Sequence, residues 1–243
     1  MNNKSNEIEQ LTILQILAYH LLPGIPILMI AIFLSHPAFG IGFPIFLAVL
    51  LGILFGLIPV QLGIITVYGK RQGKRMLEVL SFLEHTPRGT MVVLVVGVLV
   101  FCILTFSILA PIEHPLWTVF SWVPDWFRLN RFVIGNHSDQ LKLWMLILGF
   151  GLNGIAGPLV EEFYFRGFLL PRMGRLGAAA PFVNAALFSL YHFFTPWENV
   201  TRIIALTPMV YTVWFKKNIR ISILVHCILN TSSVIIMALS ANL

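Results

Sequence analysis

The sequence predicts an all-α fold, a polytopic transmembrane bundle of about seven to eight helices. Three observations lead there. The 243 residues are 58% hydrophobic, with a mean hydropathy of +0.87. Only 11% are charged, against roughly a quarter in a soluble domain. The apolar residues are also gathered into runs: Leu11–Leu34, Phe43–Val67, Met91–Ala110, Trp144–Leu170, Ala178–Phe194, Ile203–Phe215 and Ile221–Leu239. A helical span needs ~20 residues, and the first five runs and the last meet that length.

Taken in order, the first run carries Pro23 and Pro26, which should kink it because an interior proline loses a helix hydrogen bond. Before it, Met1 to Gln10 mixes Lys4 with Glu7 and Glu9. That is a poor cleavable leader, and the run behind it is long enough to stay as an anchor. The basic loop Tyr68–Thr90 reads as a cytosolic connection, either amphipathic against anionic headgroups or simply solvated. After the third run, Pro111–Gln140 contains Trp117, Trp122, Trp126 and Phe127, an interfacial helix or aromatic belt. The fourth span is read as a long one, Trp144 to Leu170. Gly149, Gly151, Gly154, Gly157 and Pro158 make it breakable and permit close helix approach. Ile203–Phe215 is short and holds Pro208, so its helix should start near Glu198 or break.

With the N-terminus inside and seven crossings, twelve of the 16 Lys and Arg fall on the inner side. They are Lys4; Lys70, Arg71, Lys74, Arg75 and Arg88; Arg166, Arg172 and Arg175; and Lys216, Lys217 and Arg220. Arg128, Arg131, Lys142 and Arg202 fall outside. This asymmetry predicts a cytoplasmic N-terminus in an integral membrane protein. The net charge of +6 is therefore a topology signal and gives no reason to expect nucleic acid as a partner. Cys102 and Cys227 lie in separate runs without metal-type spacing and read as buried free thiols.

Chemistry concentrates in Gly154 to Arg172, GIAGPLVEEFYFRGFLLPR, where Glu161, Glu162 and Arg166 interrupt an apolar run. Ionisable groups at membrane depth are costly and by default functional, the bland alternative being a structural polar knot. Glu162 and Arg166 are four apart and share a helix face, so they can pair. Glu161 points about 100° away and lacks that partner. Of the seven histidines, only His192 and His226 sit within later spans. His20 reads as structural, and His36, His85, His114 and His137 fall in loops. His226 and Asn230 are four apart and face one neighbour. Counting ~1.5 Å per residue from the inner helix ends, Glu161, His192, His226 and Asn230 fall in one layer of the inner half of the bilayer.

No HExxH or GxSxG is present, and nothing marks Ser189 as a nucleophile. What remains is attack by water. Glu161, shielded and unpaired, suits a general base. His192 can orient that water or protonate the leaving amine, and His226 with Asn230 can donate to an oxyanion. Glu161, His192 and His226 are also a possible zinc-ligand set, kept as the alternative to a metal-free site.

EEFYFR, FSLYH and HCILN, in that order on apolar helices, resemble the three motifs of the CAAX-protease and bacteriocin-processing family of intramembrane endopeptidases. The resemblance covers about Trp144 to Leu239. It divides the chain into residues 1–140, membrane helices of unassigned role, and a catalytic helical core at 141–243. It implies Glu161, His192, His226 and Asn230 as the catalytic set, with Glu162 and Arg166 in support. It also implies a membrane-associated peptide or protein as substrate and cleavage near the membrane surface, of CAAX type or as peptide-precursor processing. In a bacterium the site would be the plasma membrane. The alternative within the same family is a non-enzymatic immunity or regulatory protein.

Overall fold

The structure, a computed structural model, describes residues 8–39, 41–129, 134 and 137–240. Lys4, Glu7 and Arg131 lie outside the described residues, as does the side chain of His114. Among the described residues the protein is an all-α bundle of eight helices. They are α1 (Ile13–Leu21), α2 (Gly24–Ser35), α3 (Ile45–Arg71), α4 (Arg88–Val119), α5 (Asp139–Arg172), α6 (Ala180–Leu190), α7 (Asn199–Lys216) and α8 (Arg220–Ser240). Among the described residues the sole extended pairing is one bridge between Leu83 and Asn218.

The chain's own residues explain these boundaries. Thr12 and Gln15 cap α1 reciprocally, at 3.3 Å from the Gln15 amide to Thr12 Oγ1 and 2.9 Å from the Thr12 amide to Gln15 Oε1. Pro23 ends it, and α2 restarts at Gly24 with Pro26 in its first turn, where a missing N–H is harmless. The kink foreseen there is a two-residue turn, Leu22 and Pro23, whose backbone angles stay in the helical region. Two later prolines act differently. Pro158 cannot donate to the Gly154 carbonyl four residues back, and Pro171 cannot donate to that of Gly167. Both follow wide, π-type stretches of α5, Gly149–Ala156 and Glu162–Leu169, so the helix bulges instead of breaking. The orphaned carbonyls find outside donors: Thr231 Oγ1 to Gly154 (3.4 Å) and the Ser81 amide to Gly167 (2.9 Å).

Among the described residues five stretches are long and apolar enough to cross a membrane: Ile13–Ser35, Ile45–Arg71, Arg88–Ile112, Asp139–Arg172 and Arg220–Ser240. α4 turns Val92, Val93, Val96, Val100, Ile103, Leu104 and Ile108 outward. Large apolar side chains gathered on one helix suit lipid contact. Two of the seven expected crossings are corrected. α6 has 11 residues, ~16 Å, about half of a ~30 Å hydrocarbon core. Two short tight turns separated by a kink at Gly177, where φ is +52°, take up the start of that apolar run. α7 begins at Asn199, as Pro208 and the shortness of its run suggested, and carries a buried Arg202 in its first turn.

Two loops also depart from expectation. α4 passes through Pro111 and Pro115 to Val119, so the region after Ala110 begins as helix. Stacking of Trp117 on Trp197, with centroids 5.2 Å apart, holds that extension to the bundle. The basic loop is neither simply solvated nor laid on headgroups throughout, because Val79 and Leu80 are buried. Arg172 donates to the Val79 carbonyl (3.2 Å), and the Ile219 amide donates to that of Phe82 (2.8 Å). Cys102 is buried as expected, whereas Cys227 is half-buried; both are free thiols. α6 lies on α1 and α7, and α8 lies on the first bulge of α5. The polar layer sits between these contacts.

Candidate active site

Glu161 closes the single regular turn Gly157–Glu161 between the two bulges of α5, and Glu162 opens the second bulge. The adjacent carboxylates diverge, as helix geometry requires. Glu162 is fully buried, as is Arg166, whose Nη1 lies 3.2 Å from Glu162 Oε1. The Arg166 guanidinium also sits 4.1 Å from the centroid of the Phe188 ring. Glu162 has a second partner that spacing alone did not suggest, His226 Nδ1 at 2.8 Å. A carboxylate acceptor fixes the proton of a neutral imidazole on Nδ1. The bare Nε2 of His226 then faces the other carboxylate, 3.7 Å from Glu161 Oε2.

His192 arrives by another route. It lies two residues beyond the end of α6, not within a helix as expected. Its Nδ1 is 2.8 Å from the Phe188 carbonyl. A carbonyl only accepts, so this ring too carries its proton on Nδ1 when neutral. Its Nε2 is directed at Glu161 Oε1, 3.9 Å away. Glu161 is thus flanked by two imidazole Nε2 atoms, one for each carboxylate oxygen.

Asn230 is placed less simply. Its Nδ2 donates to the carbonyl of Asn153 in the first bulge, at 3.0 Å. One amide hydrogen therefore closes the bulge, and one is left for the cavity. That cavity is about 320 Å³ and is lined by Glu161, His192, His226 and Asn230 together with apolar residues of α3 and α4. Among the described residues no group of three His, Cys, Asp or Glu side chains is disposed to hold a metal ion.

Sequence reasoning missed two features. Tyr191, next to His192 in FSLYH, donates its phenol hydrogen to Glu161 Oε1. Arg202, assigned above to an outer segment, is buried against the cavity, paired with Glu198 and 2.8 Å from Thr195 Oγ1. The i, i+4 spacing of Glu198 and Arg202 was the signal available for it. His20, read as structural, donates from Nδ1 to the Ile16 carbonyl (2.7 Å) and accepts at Nε2 from Asn184 (3.0 Å).

Residues 142–232 match the sequence profile of the Rce1-like type II CAAX prenyl endopeptidases. The matched segment contains EEFYFR, FSLYH and HCILN and every residue that faces Glu161. The match supports an intramembrane endopeptidase of the CAAX-protease and bacteriocin-processing family. Comparison with curated proteins and with solved structures gave no match. The Rce1-like segment runs from the start of α5 into α8, so it holds the whole polar layer. α1 to α4 lie outside it, although α3 and α4 contribute cavity wall.

Proposed function

We propose that the protein hydrolyses a peptide bond of a membrane-associated substrate with a water molecule activated by Glu161. The supporting observation is the asymmetry of the two glutamates. Glu162 is engaged by Arg166 and His226, while Glu161 opens onto a cavity between two imidazole Nε2 atoms. Water held between Glu161 and one imidazole attacks the carbonyl carbon as Glu161 takes its proton. The carbon–nitrogen bond of the tetrahedral intermediate then breaks, and the proton passes to the leaving amine through His192 or Glu161. In this reading the oxyanion accepts from the second hydrogen of the Asn230 amide and, once a second proton is carried at Nε2, from His226. The apolar cavity wall suits a substrate presented from the bilayer. An inner-side location for Lys70 to Arg75 puts the N-terminus in the cytoplasm.

The test is cleavage of a quenched-fluorescent prenylated CAAX peptide by purified protein in proteoliposomes. Glu161→Gln should lower turnover by ~10²–10⁴-fold, the usual worth of a general base, with melting and substrate binding kept. Glu162→Gln should lose both stability and rate. Retained turnover in Glu161→Gln would exchange the two roles or remove the mechanism. An immunity assay on the same variant separates an enzyme from a binding protein, since protection without Glu161 would support binding alone.

A further inference from the structure

We infer that Tyr191 is a positioning residue for this reaction, holding Glu161 in the one rotamer that presents Oε2 to the attacking water. The inference rests on the role proposed above for Glu161. The phenol hydroxyl of Tyr191 donates to Glu161 Oε1. That oxygen also faces His192, whereas Oε2 faces His226. A glutamate side chain has three rotatable bonds and a nearly symmetric head group, so burial alone does not choose which oxygen meets the water. A donor fixed on Oε1 makes the choice.

The ring that supplies the donor is itself immobilised. Tyr191 is 1% exposed. Its ring centroid lies 5.0 Å from that of Phe165, 5.5 Å from Phe188 and 4.3 Å from His192. Its backbone is fixed too: the Tyr191 amide donates to the Leu187 carbonyl (3.0 Å), and its own carbonyl packs against Gly24 of α2. A tyrosine clamped on ring and backbone has little freedom to follow Glu161, so Glu161 must conform to it. The hydroxyl also occupies one lone pair of Oε1, which directs the proton taken from water to Oε2. Adjacency to His192 means that one short segment beyond α6 sets both groups bearing on Oε1.

The variant that tests this is Tyr191→Phe, assayed in proteoliposomes with the same prenylated CAAX peptide beside Glu161→Gln. Loss of one hydrogen bond to a charged group should lower kcat about 10- to 100-fold, with KM within about twofold, since the hydroxyl touches the base and not the substrate. A purely structural tyrosine would instead lower the melting temperature and leave kcat per folded molecule unchanged. Should Tyr191→Phe not fold, 4-fluorophenylalanine at 191 fills the hydroxyl's space without a proton to donate and is held to the same criteria. Wild-type kcat in the folded donor-less protein, with Glu161→Gln inactive, overturns the role of Tyr191 and leaves the glutamate mechanism standing. Retained turnover in Glu161→Gln overturns both.

Discussion

Replacing Arg166 alone, and then together with Glu162, separates what the buried pair does for folding from what it does for the site. Both side chains are fully buried and 3.2 Å apart. Arg166→Met keeps much of the apolar volume over Phe188 but leaves the Glu162 carboxylate without its guanidinium, with His226 Nδ1 and the Ser222 hydroxyl still beside it. Breaking a buried pair from one side costs ~3–5 kcal/mol, two to four decades in the folding equilibrium at ~1.4 kcal/mol per decade. The double variant Glu162→Leu/Arg166→Met removes both charges, a change that is often neutral or stabilising. It leaves His226 Nδ1 without its acceptor, an offset of ~1–3 kcal/mol. The double variant should therefore exceed Arg166→Met in stability by ~2 kcal/mol, about thirtyfold. It should still turn over slowly, because His226 has lost the contact that sets its ring. Reversible unfolding in mixed micelles gives the first quantity, and cleavage per folded molecule gives the second. An Arg166→Met protein that melts with the wild type, or a double variant that is fully active, would refute the reasoning.

Gly24→Ala should impair catalysis more than folding. A Cβ there would collide with the Tyr191 carbonyl and come to 3.0 Å from the Phe193 ring. Overpacking costs ~1–3 kcal/mol, while a ~1 Å displacement of the Tyr191–His192 segment can cost ~10²-fold in rate; thermal melts and kcat on one preparation check the split. Cysteine placed at Gln72 should resist an impermeant thiol reagent in intact cells while cysteine at the exposed Trp122 reacts, and the opposite pattern inverts the topology. Activity should survive exhaustive chelation followed by desalting into metal-free buffer. Loss that is restored by zinc alone would return Glu161, His192 and His226 to the role of ligands.

The parts of this protein legible in its sequence were those governed by local chemistry. Pro23 kinks the first run, Gly149 to Pro158 deform the fourth span without ending it, and the Glu162–Arg166 spacing yields the buried pair. Composition and run length carried the membrane bundle. What could not be read depended on tertiary partners. The His226 ring bridges two carboxylates because α8 packs on the first bulge of α5, and no spacing within HCILN encodes that. Asn230 serves Asn153 because the bulge leaves a carbonyl to be satisfied, a need invisible until the bulge is known. His192 was placed in a helix since the apolar run continues to Phe194, but hydropathy does not report where backbone hydrogen bonding stops.

The contact between His20 and Asn184 has a consequence for how the protein is made. The two residues are 164 positions apart. At ~5–20 residues per second, ribosomal synthesis of that interval takes roughly ten to thirty seconds. Over that interval His20 Nε2 is without the donor that Asn184 supplies in the folded chain. The Leu11 amide waits nearly as long for the Arg172 carbonyl. The time for which the α1 segment lacks these two partners is thus set by translation, before any folding rate enters. Slow codons or pauses between residues 36 and 183 would lengthen that exposure, and a chain released early would present His20 to lipid as a mark of incompleteness.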